Sequence, residues 1–187
     1  PECVPREEMV VGQWTIAVGR TFEGDQPNVS VGVLSARNRI WSKAIQTDAR
    51  ISPSNYGGPL IDIGGRVLGV LVPLSPQRQN EIAGAEWYDS GIGFAIPLCD
   101  ILPRLDQLKA GEDLHPGLLG VTLKGSDIYA DPAEIAACLP KSPAYDAGLK
   151  AGDRIVEVDG VEITRQSKLK HVLGPRYAGD QVRVVAM

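Results

Sequence analysis

Short apolar stretches punctuated by turn residues fill the first half of the chain. They run over Trp14-Thr15-Ile16-Ala17-Val18, Val29 to Leu34, Ile40 to Ile45, Pro59 to Ile63, Val67 to Val72 and Ile92 to Ile96, each bounded by Gly, Pro, Asn or Asp. Runs of this length with such boundaries predict strands that turn through hairpins and barrel corners. Gly64-Gly65, between two of them, is a two-residue hairpin signal. The stretch from Leu74 to Ser90 is polar and aperiodic, which predicts a surface loop. After Ile96 the period changes, because Ile101, Leu105 and Leu108 recur as one stripe of a short helix. Asp100 is placed to cap its start, Pro103 falls in its first turn and Gly111 suits its stop. The polar segment Lys109 to Pro116 reads as a linker.

A second unit follows from Gly117. Strands are predicted at Leu118 to Leu123, Ala133 to Leu139 and Arg154 to Val158, the last turning at Asp159-Gly160. Helices are predicted near Pro143 to Ala147, stopping at Gly148, and near Gln166 to Leu173, stopping at Gly174. The organisation expected is therefore a barrel unit over 1–98, a helix and linker over 99–116, and an α+β module over 117–187. The fold class expected is mostly β.

Composition narrows the chemistry. Of 187 residues, 43% are apolar and 22% charged, too apolar for a disordered chain. The net charge of −4 offers no global positive field for a phosphate backbone, so nucleic acid is not an expected partner. No apolar run approaches the roughly 20 residues of a membrane helix. Cys3, Cys99 and Cys138 are odd in number and far apart, which predicts buried or incidental thiols rather than a disulfide framework or a zinc site. The Gly-rich segments lack a P-loop Lys-Ser/Thr and no His/Cys cluster exists, so no metal or cofactor is expected. The start at Pro1 and the stop at Met187 inside an apparent strand, Gln181 to Val185, lead to the expectation of a piece of something longer, its second module either truncated at the C-terminal end or completed by residues beyond it.

Gln46-Thr47-Asp48-Ala49 followed by Asn55-Tyr56-Gly57-Gly58-Pro59-Leu60 resembles the nucleophile region of the trypsin-like serine proteases of the HtrA/Deg family. Gly12-Gln13-Trp14 to Gly19, Val31 to Ala36 and Gly91 to Pro97 resemble other parts of the same C-terminal barrel. The resemblance implies a six-stranded trypsin-like barrel, the second half of a double barrel. The family's active enzymes carry Gly-Asn-Ser before Gly-Gly, with Ser as nucleophile, and here the triplet is Ser54-Asn55-Tyr56. A phenol held several Å from the backbone does not replace a primary hydroxyl, and a side chain at Ser54 disfavours the geometry of an oxyanion hole. Independently, a Ser nucleophile needs a His base held by a carboxylate, and only His115 and His171 are present, one in the linker and one on a module helix. In the family, the His and Asp belong to an N-terminal barrel that would precede Pro1. Tyr56 then either packs over a former cleft or is reused for binding. Arg50 stands where the family's fold lines the primary specificity pocket, implying a charge-filled or blocked pocket or a solvated Arg. Val70-Leu71-Val72 resembles the strand edge along which a substrate would pair as an added strand, whereas by its sequence alone it is simply a buried strand.

Leu118-Leu119-Gly120-Val121, Ser142-Pro143-Ala144, Ala147-Gly148-Leu149 and Ile155 to Gly160 resemble a PDZ domain of the HtrA type. A Gly after an apolar residue lets successive N–H groups converge on a carboxylate, while the adjoining strand edge pairs with a peptide. Leu118, Leu119, Gly120 and Val121 are the expected carboxylate loop. On the facing helix Leu169 and Leu173 point inward, leaving Val172 toward the groove with Lys168 and His171 at its rim. Arg165, Lys168, Lys170 and Arg176 make this segment locally basic. The function expected is that of a degenerate HtrA-like protease, a pseudoprotease that binds C-terminal or extended peptides. The alternative is a fragment of an active HtrA-type endopeptidase of protein quality control. A homo-oligomer, or coverage by the absent first barrel, and an extracytoplasmic setting are further implications of the resemblance.

Overall fold

Alternation along each strand of the first half sends one set of side chains to a common interior. The computed structural model describes residues 2–20, 26–74 and 87–187, and it divides into two compact units, 1–112 and 113–187. In the first, β1 (Trp14–Arg20), β2 (Pro27–Arg39), β3 (Ala44–Thr47), β4 (Pro59–Ile61), β5 (Val67–Val72) and β6 (Gly93–Pro97) form a closed barrel in the order β1-β2-β3-β6-β5-β4. Ala17, Leu34, Ile45, Leu60, Leu68 and Leu71 are fully buried inside it. Each such Leu or Ile contributes about 2 kcal/mol on removal from water. The hydroxyls of Thr15 and Thr47, also fully buried, satisfy each other at 2.7 Å.

The outer face of β1 and β2 is apolar as well. Trp14 pairs with Val33, Ile16 with Val31 and Val18 with Val29, and Trp14, Val29 and Val31 are exposed. Residues directly opposite in an antiparallel pair share a face, so this row is continuous.

Several local expectations are corrected. The strand expected over Ile40 to Ile45 is instead a turn followed by a shorter strand. β2 runs on to Arg39, and Ile40, Trp41 and Ser42 all take positive φ (51°, 55° and 63°) to reverse the chain into Ala44. Asp100 does not cap a helix. The helix α1 (Leu98–Ile101) begins after Pro97, and the Asp100 carboxylate accepts from the Arg6 guanidinium at 2.6 Å. A 3-10 turn at Leu102–Arg104 takes up Pro103, and α2 (Leu105–Lys109) ends before Gly111, whose φ of +76° suits the stop. Val70 to Val72 is no free edge, because β5 is hydrogen-bonded to β4 and β6 on its two sides. Most of the loop expected over Leu74 to Ser90 lies outside the described residues.

The cysteine expectation fails for a topological reason. Cys3 bridges Val67 of β5 in parallel, Val4 donates to the Val67 carbonyl at 3.2 Å, and the segment thereby reaches α1. Cys3 and Cys99, 96 residues apart in sequence, stand 5.4 Å apart at Cα and form a disulfide. Cys138 is a free thiol in the second unit, its Sγ donating to the Leu149 carbonyl at 3.2 Å.

The second unit holds a two-stranded sheet of β7 (Val121–Leu123) and β8 (Ile135–Cys138), and a three-stranded sheet ordered β10 (Val161–Glu162), β9 (Ile155–Val158), β11 (Val184–Ala186). Two helices complete it, α3 (Pro143–Asp146) and α4 (Gln166–Leu173). Ser142 caps α3 by accepting from the Tyr145 N–H. Ala133, Ile135, Ile155, Val158, Ile163 and Leu169 form its core.

Two outcomes test this description. Reducing the disulfide, or Cys99→Ser, is expected to lower stability by about 3 kcal/mol, because the cross-link restricts a long loop of the unfolded chain. A denaturation midpoint with and without reductant measures it. At the β4–β5 turn, burial acts to raise the Asp62 carboxyl, but the Arg66 N–H, the Arg66 guanidinium at 2.9 Å and the Gly64 N–H outweigh it and hold the carboxyl below its ordinary range. Its stabilisation is therefore full above the unfolded value of about 3.9 and is lost as pH falls through the lower folded one. Asp62→Asn is expected to lower the midpoint at neutral pH, the difference from the parent closing in acid.

Candidate functional site

The chain between β3 and β4 forms a tight loop seated on the end of β1. A Cβ on Gly19 would lie 2.1 Å from the Ser54 carbonyl oxygen, and one on Gly58 would lie 2.0 Å from that of Val18. Only glycine at both places permits this approach. Within the loop, Pro53–Asn55 make one 3-10 turn whose closing bond is the Tyr56 N–H donating to the Pro53 carbonyl at 3.2 Å. Gly57 then donates to Leu71 and Leu71 to the Gly58 carbonyl, both at 2.9 Å, tying the loop to β5.

The polar side chains of the loop face one another. Ser54 Oγ accepts from Asn28 Nδ2 at 3.0 Å and lies 2.9 Å from Ser52 Oγ, while Asn55 Oδ1 accepts from the Ser52 N–H at 3.1 Å. Asn55 is 1% exposed and its Nδ2 has no hydrogen-bond partner. No general base touches Ser54 among the described residues. Both histidines of the sequence lie in the second unit.

Tyr56 is half-buried and packs against the barrel core. Its ring meets that of Tyr88 edge-on, with centroids 6.4 Å apart. Burial, and after it the neighbouring Tyr88, raises its phenol above the ordinary value. On one side Tyr56 lines an open cleft of about 690 Å³ with Val18–Arg20, Pro27 and neighbouring loop residues. On the other it lines a void of only about 10 Å³ among Ile51, Val72, Leu74, Trp87, Ile92 and Phe94. That space is at the threshold for a single water. Tyr56 is thus a wall common to both cavities. Arg50 is exposed and lines neither cavity. Tyr88 and Trp87 carried no local sequence signal, because the period around them is broken.

In the second unit, Gly117–Gly120 form a loop rather than the first turn of a strand. The N–H groups of Leu118, Leu119 and Gly120 have no acceptor among the described residues, whereas the carbonyls of Leu119 and Gly120 accept from Ala144 (3.0 Å) and Leu139 (2.8 Å). Gly120 takes φ +82°, and a Cβ there would lie 2.2 Å from Ser142 Cβ. The loop runs into β7, which among the described residues pairs with β8 alone and so has an unpaired edge. Leu119, Val121 and Val172 are half-buried against one core cluster, and Lys168 is exposed. Leu169 is buried as expected, while Leu173 and Val172 are equally half-buried. His171 is lowered from its ordinary value by burial, then by Lys168 and Arg165. Among the described residues, no cluster of three His, Cys, Asp or Glu could hold a metal ion.

The comparisons with known proteins divide along the same line. The family description "Trypsin-like peptidase domain" matches residues 2–70 and "PDZ domain" matches residues 107–187. A curated relative from Chlamydia muridarum, named "Probable periplasmic serine endoprotease DegP-like", is 36% identical over 196 residues, covering 94% of this chain and 37% of the relative. A protein of the same name from Halomonas elongata is 34% identical, covering 95% and 39%. The chain therefore spans well under half the length of these relatives. Among solved structures, "HtrA-type protease AlgW with decapeptide" superposes with a TM-score of 0.63 at 25% identity, covering 98% of this chain and 58% of that one. "HtrA-type protease AlgW with tripeptide" gives 0.65 at 24% identity, with 98% and 64% covered, a likeness of fold. The chain is thus HtrA/DegP-like, with trypsin-like peptidase sequence followed by a PDZ domain.

Proposed function

We propose that this chain is a pseudoprotease of the HtrA type that works by capturing peptides through its PDZ domain. The observation that carries the reading is Tyr56. By resemblance it stands at the nucleophile position, its side chain is committed to packing beside Tyr88, and its N–H is spent on Pro53 in the 3-10 turn. An acyl-transfer site needs a primary nucleophile, a base in reach and N–H donors aimed at the developing oxyanion. Tyr56 offers none of these, and the hydroxyl of Ser54 is held by Asn28 and Ser52.

Peptide capture is supported by the unpaired N–H groups of Leu118, Leu119 and Gly120 beside the open edge of β7. In this reading the loop takes the terminal carboxylate, β7 from Val121 adds the peptide as a strand, and Lys168 and Val172 of α4 border its side chains. The names of the relatives support an extracytoplasmic setting, as does the Cys3–Cys99 disulfide, a bond that persists in oxidising compartments. The exposed apolar row of Trp14, Val29 and Val31 supports coverage by another protein surface, either a second copy of the chain or a first barrel. The rival reading, part of an active endopeptidase, draws on the names of the relatives alone.

Binding of C-terminal peptides, measured by fluorescence polarisation against the same peptides amidated at the carboxyl end, tests the reading. Carboxylate-dependent binding of roughly micromolar strength is expected, with a loss of at least about tenfold in Gly120→Ala. Equal binding of amidated peptides would remove the carboxylate loop from the account. Tyr56 gives a second test on the barrel. Tyr56→Phe is expected to stay within about 0.5 kcal/mol of the parent, since the hydroxyl has no hydrogen bond among the described residues. Tyr56→Ala is expected to cost about 2 kcal/mol by removing the ring that packs against the barrel core. Chemical denaturation of the two variants measures both.

A further inference from the structure

We propose that the second unit selects peptides with an acidic side chain at the third position from the carboxyl end, and that Lys168 of α4, flanked by Arg165 and His171, makes the selection. The inference rests on the peptide capture proposed above and specifies which peptides are taken.

The position follows from how α4 lies beside β7. At the start of the helix the Gln166 side chain donates to the carbonyl of Lys124, just past the end of β7, at 2.5 Å. The Ser167 N–H donates to the Ile128 carbonyl at 2.7 Å. At the end of the helix Leu173 lines one cavity with Leu118 and Leu119, the residues that lead into β7. The two elements therefore run in opposite senses. A peptide whose carboxylate sits at Leu118–Gly120 and which pairs antiparallel with β7 passes α4 from Leu173 back toward Arg165. From Leu173 to Lys168 the helix rises about 7.5 Å, at about 1.5 Å per residue, and a strand covers about 7 Å in two residues. Val121 and Leu123 pack against the core while Thr122 is exposed, so alternate side chains of an added strand turn the same way. The last side chain and the third from the end face α4, and the third arrives level with Lys168.

The chemistry follows from charge. Arg165, Lys168 and His171 recur at every third residue, a spacing that puts neighbours on one side of a helix. Arg165 and Lys168 are exposed and have no ion-pair partner among the described residues. Both act on His171, which burial first and then Lys168 and Arg165 lower from its ordinary value. The acids on neighbouring elements are held elsewhere. Glu134 pairs with Lys124, Asp131 accepts from the Asp127 N–H at 2.9 Å, and Asp127 accepts from the Tyr129 and Ala130 N–H groups at 2.9 and 3.2 Å. Past the other end of α4, Asp159 pairs with Arg176 at 2.7 Å and Asp180 accepts from the Tyr177 N–H at 2.9 Å. Glu162 and Glu157 stand opposite each other in β10 and β9, in the other sheet. A carboxylate side chain supplied by the peptide at the level of Lys168 complements this row, and a cationic one is repelled by it.

The test is fluorescence polarisation of the full chain with labelled peptides ending Ala-Xaa-Ala-Val, where Xaa is Glu, Gln or Lys, each as free acid and as amide. Among the free acids, Glu is expected to bind about fivefold more tightly than Gln, and Gln more tightly than Lys, the size of one partly exposed charge contact. Raising salt to about 0.5 M is expected to shrink the difference. Moving Glu to the second position from the end, where the side chain turns away from α4, is expected to remove it. In Lys168→Gln, an exposed substitution, Glu and Gln are expected to come within about twofold of each other, and in Lys168→Glu the Lys peptide is expected to be preferred. Carboxylate-dependent binding of all three peptides with equal affinity would overturn the selection and leave peptide capture standing, as would a Glu preference unchanged in Lys168→Gln. A Glu preference that persists in the amidated peptides and is lost in Lys168→Gln would uphold the selection and remove the carboxylate loop. No binding of any peptide up to about 1 mM would overturn both.

Discussion

The first unit depends on β1 being paired along both edges. Its register with β2 runs over its whole length, from Trp14 opposite Val33 to Arg20 opposite Pro27, and Ile16 and Ala17 close the barrel against Ile61 and Leu60 of β4. That closure brings the chain after β3 back across the end of β1. Because Gly19 and Gly58 carry no side chains, backbone meets backbone there, and the loop containing Tyr56 sits directly on the end of β1. The 3-10 turn at Pro53–Asn55 and the committed N–H of Tyr56 belong to the loop so seated. The proposed loss of the nucleophile rests on that seating, set by two glycines, and on the aromatic residue that the family resemblance puts at the nucleophile position.

The second unit repeats the device with a different outcome. Gly120 lets its loop lie on Ser142, and the carbonyls of the loop are consumed by Ala144 and Leu139. Its N–H groups are left over. Donors left over beside satisfied acceptors are what the proposed capture of a carboxylate requires, and the unpaired edge of β7 is what the proposed pairing with an extended chain requires. In the first unit the corresponding donors are turned inward and spent. The two loops therefore differ in what they offer a ligand, although both are positioned by glycine.

The strands and their turns were legible in the sequence because short apolar runs between Gly, Pro, Asn and Asp carry a local signal. The six-stranded barrel followed from the family resemblance, and the α+β module from its mix of short strands and two helices. What escaped was non-local. Cys3 and Cys99 are brought together only because the N-terminal segment bridges Val67, which no spacing of three cysteines reveals. Asp100 looked like a cap because its partner, Arg6, is 94 residues away. The left-handed Ile40, Trp41 and Ser42 read as strand because their side chains are those of a strand. Tyr56 was legible as an odd residue in a familiar place, but its contact with Tyr88 depends on a loop with no period.

The central claim is that the barrel has no working nucleophile. Its most direct test is intact-mass analysis of the chain after exposure to a fluorophosphonate probe, with an active HtrA-type protease as the positive control. The account predicts an unmodified mass for this chain under conditions that label the control fully. A stoichiometric adduct mapped to Tyr56 or Ser54 would contradict it, and would mean that the loop seated on β1 can open into a catalytic arrangement.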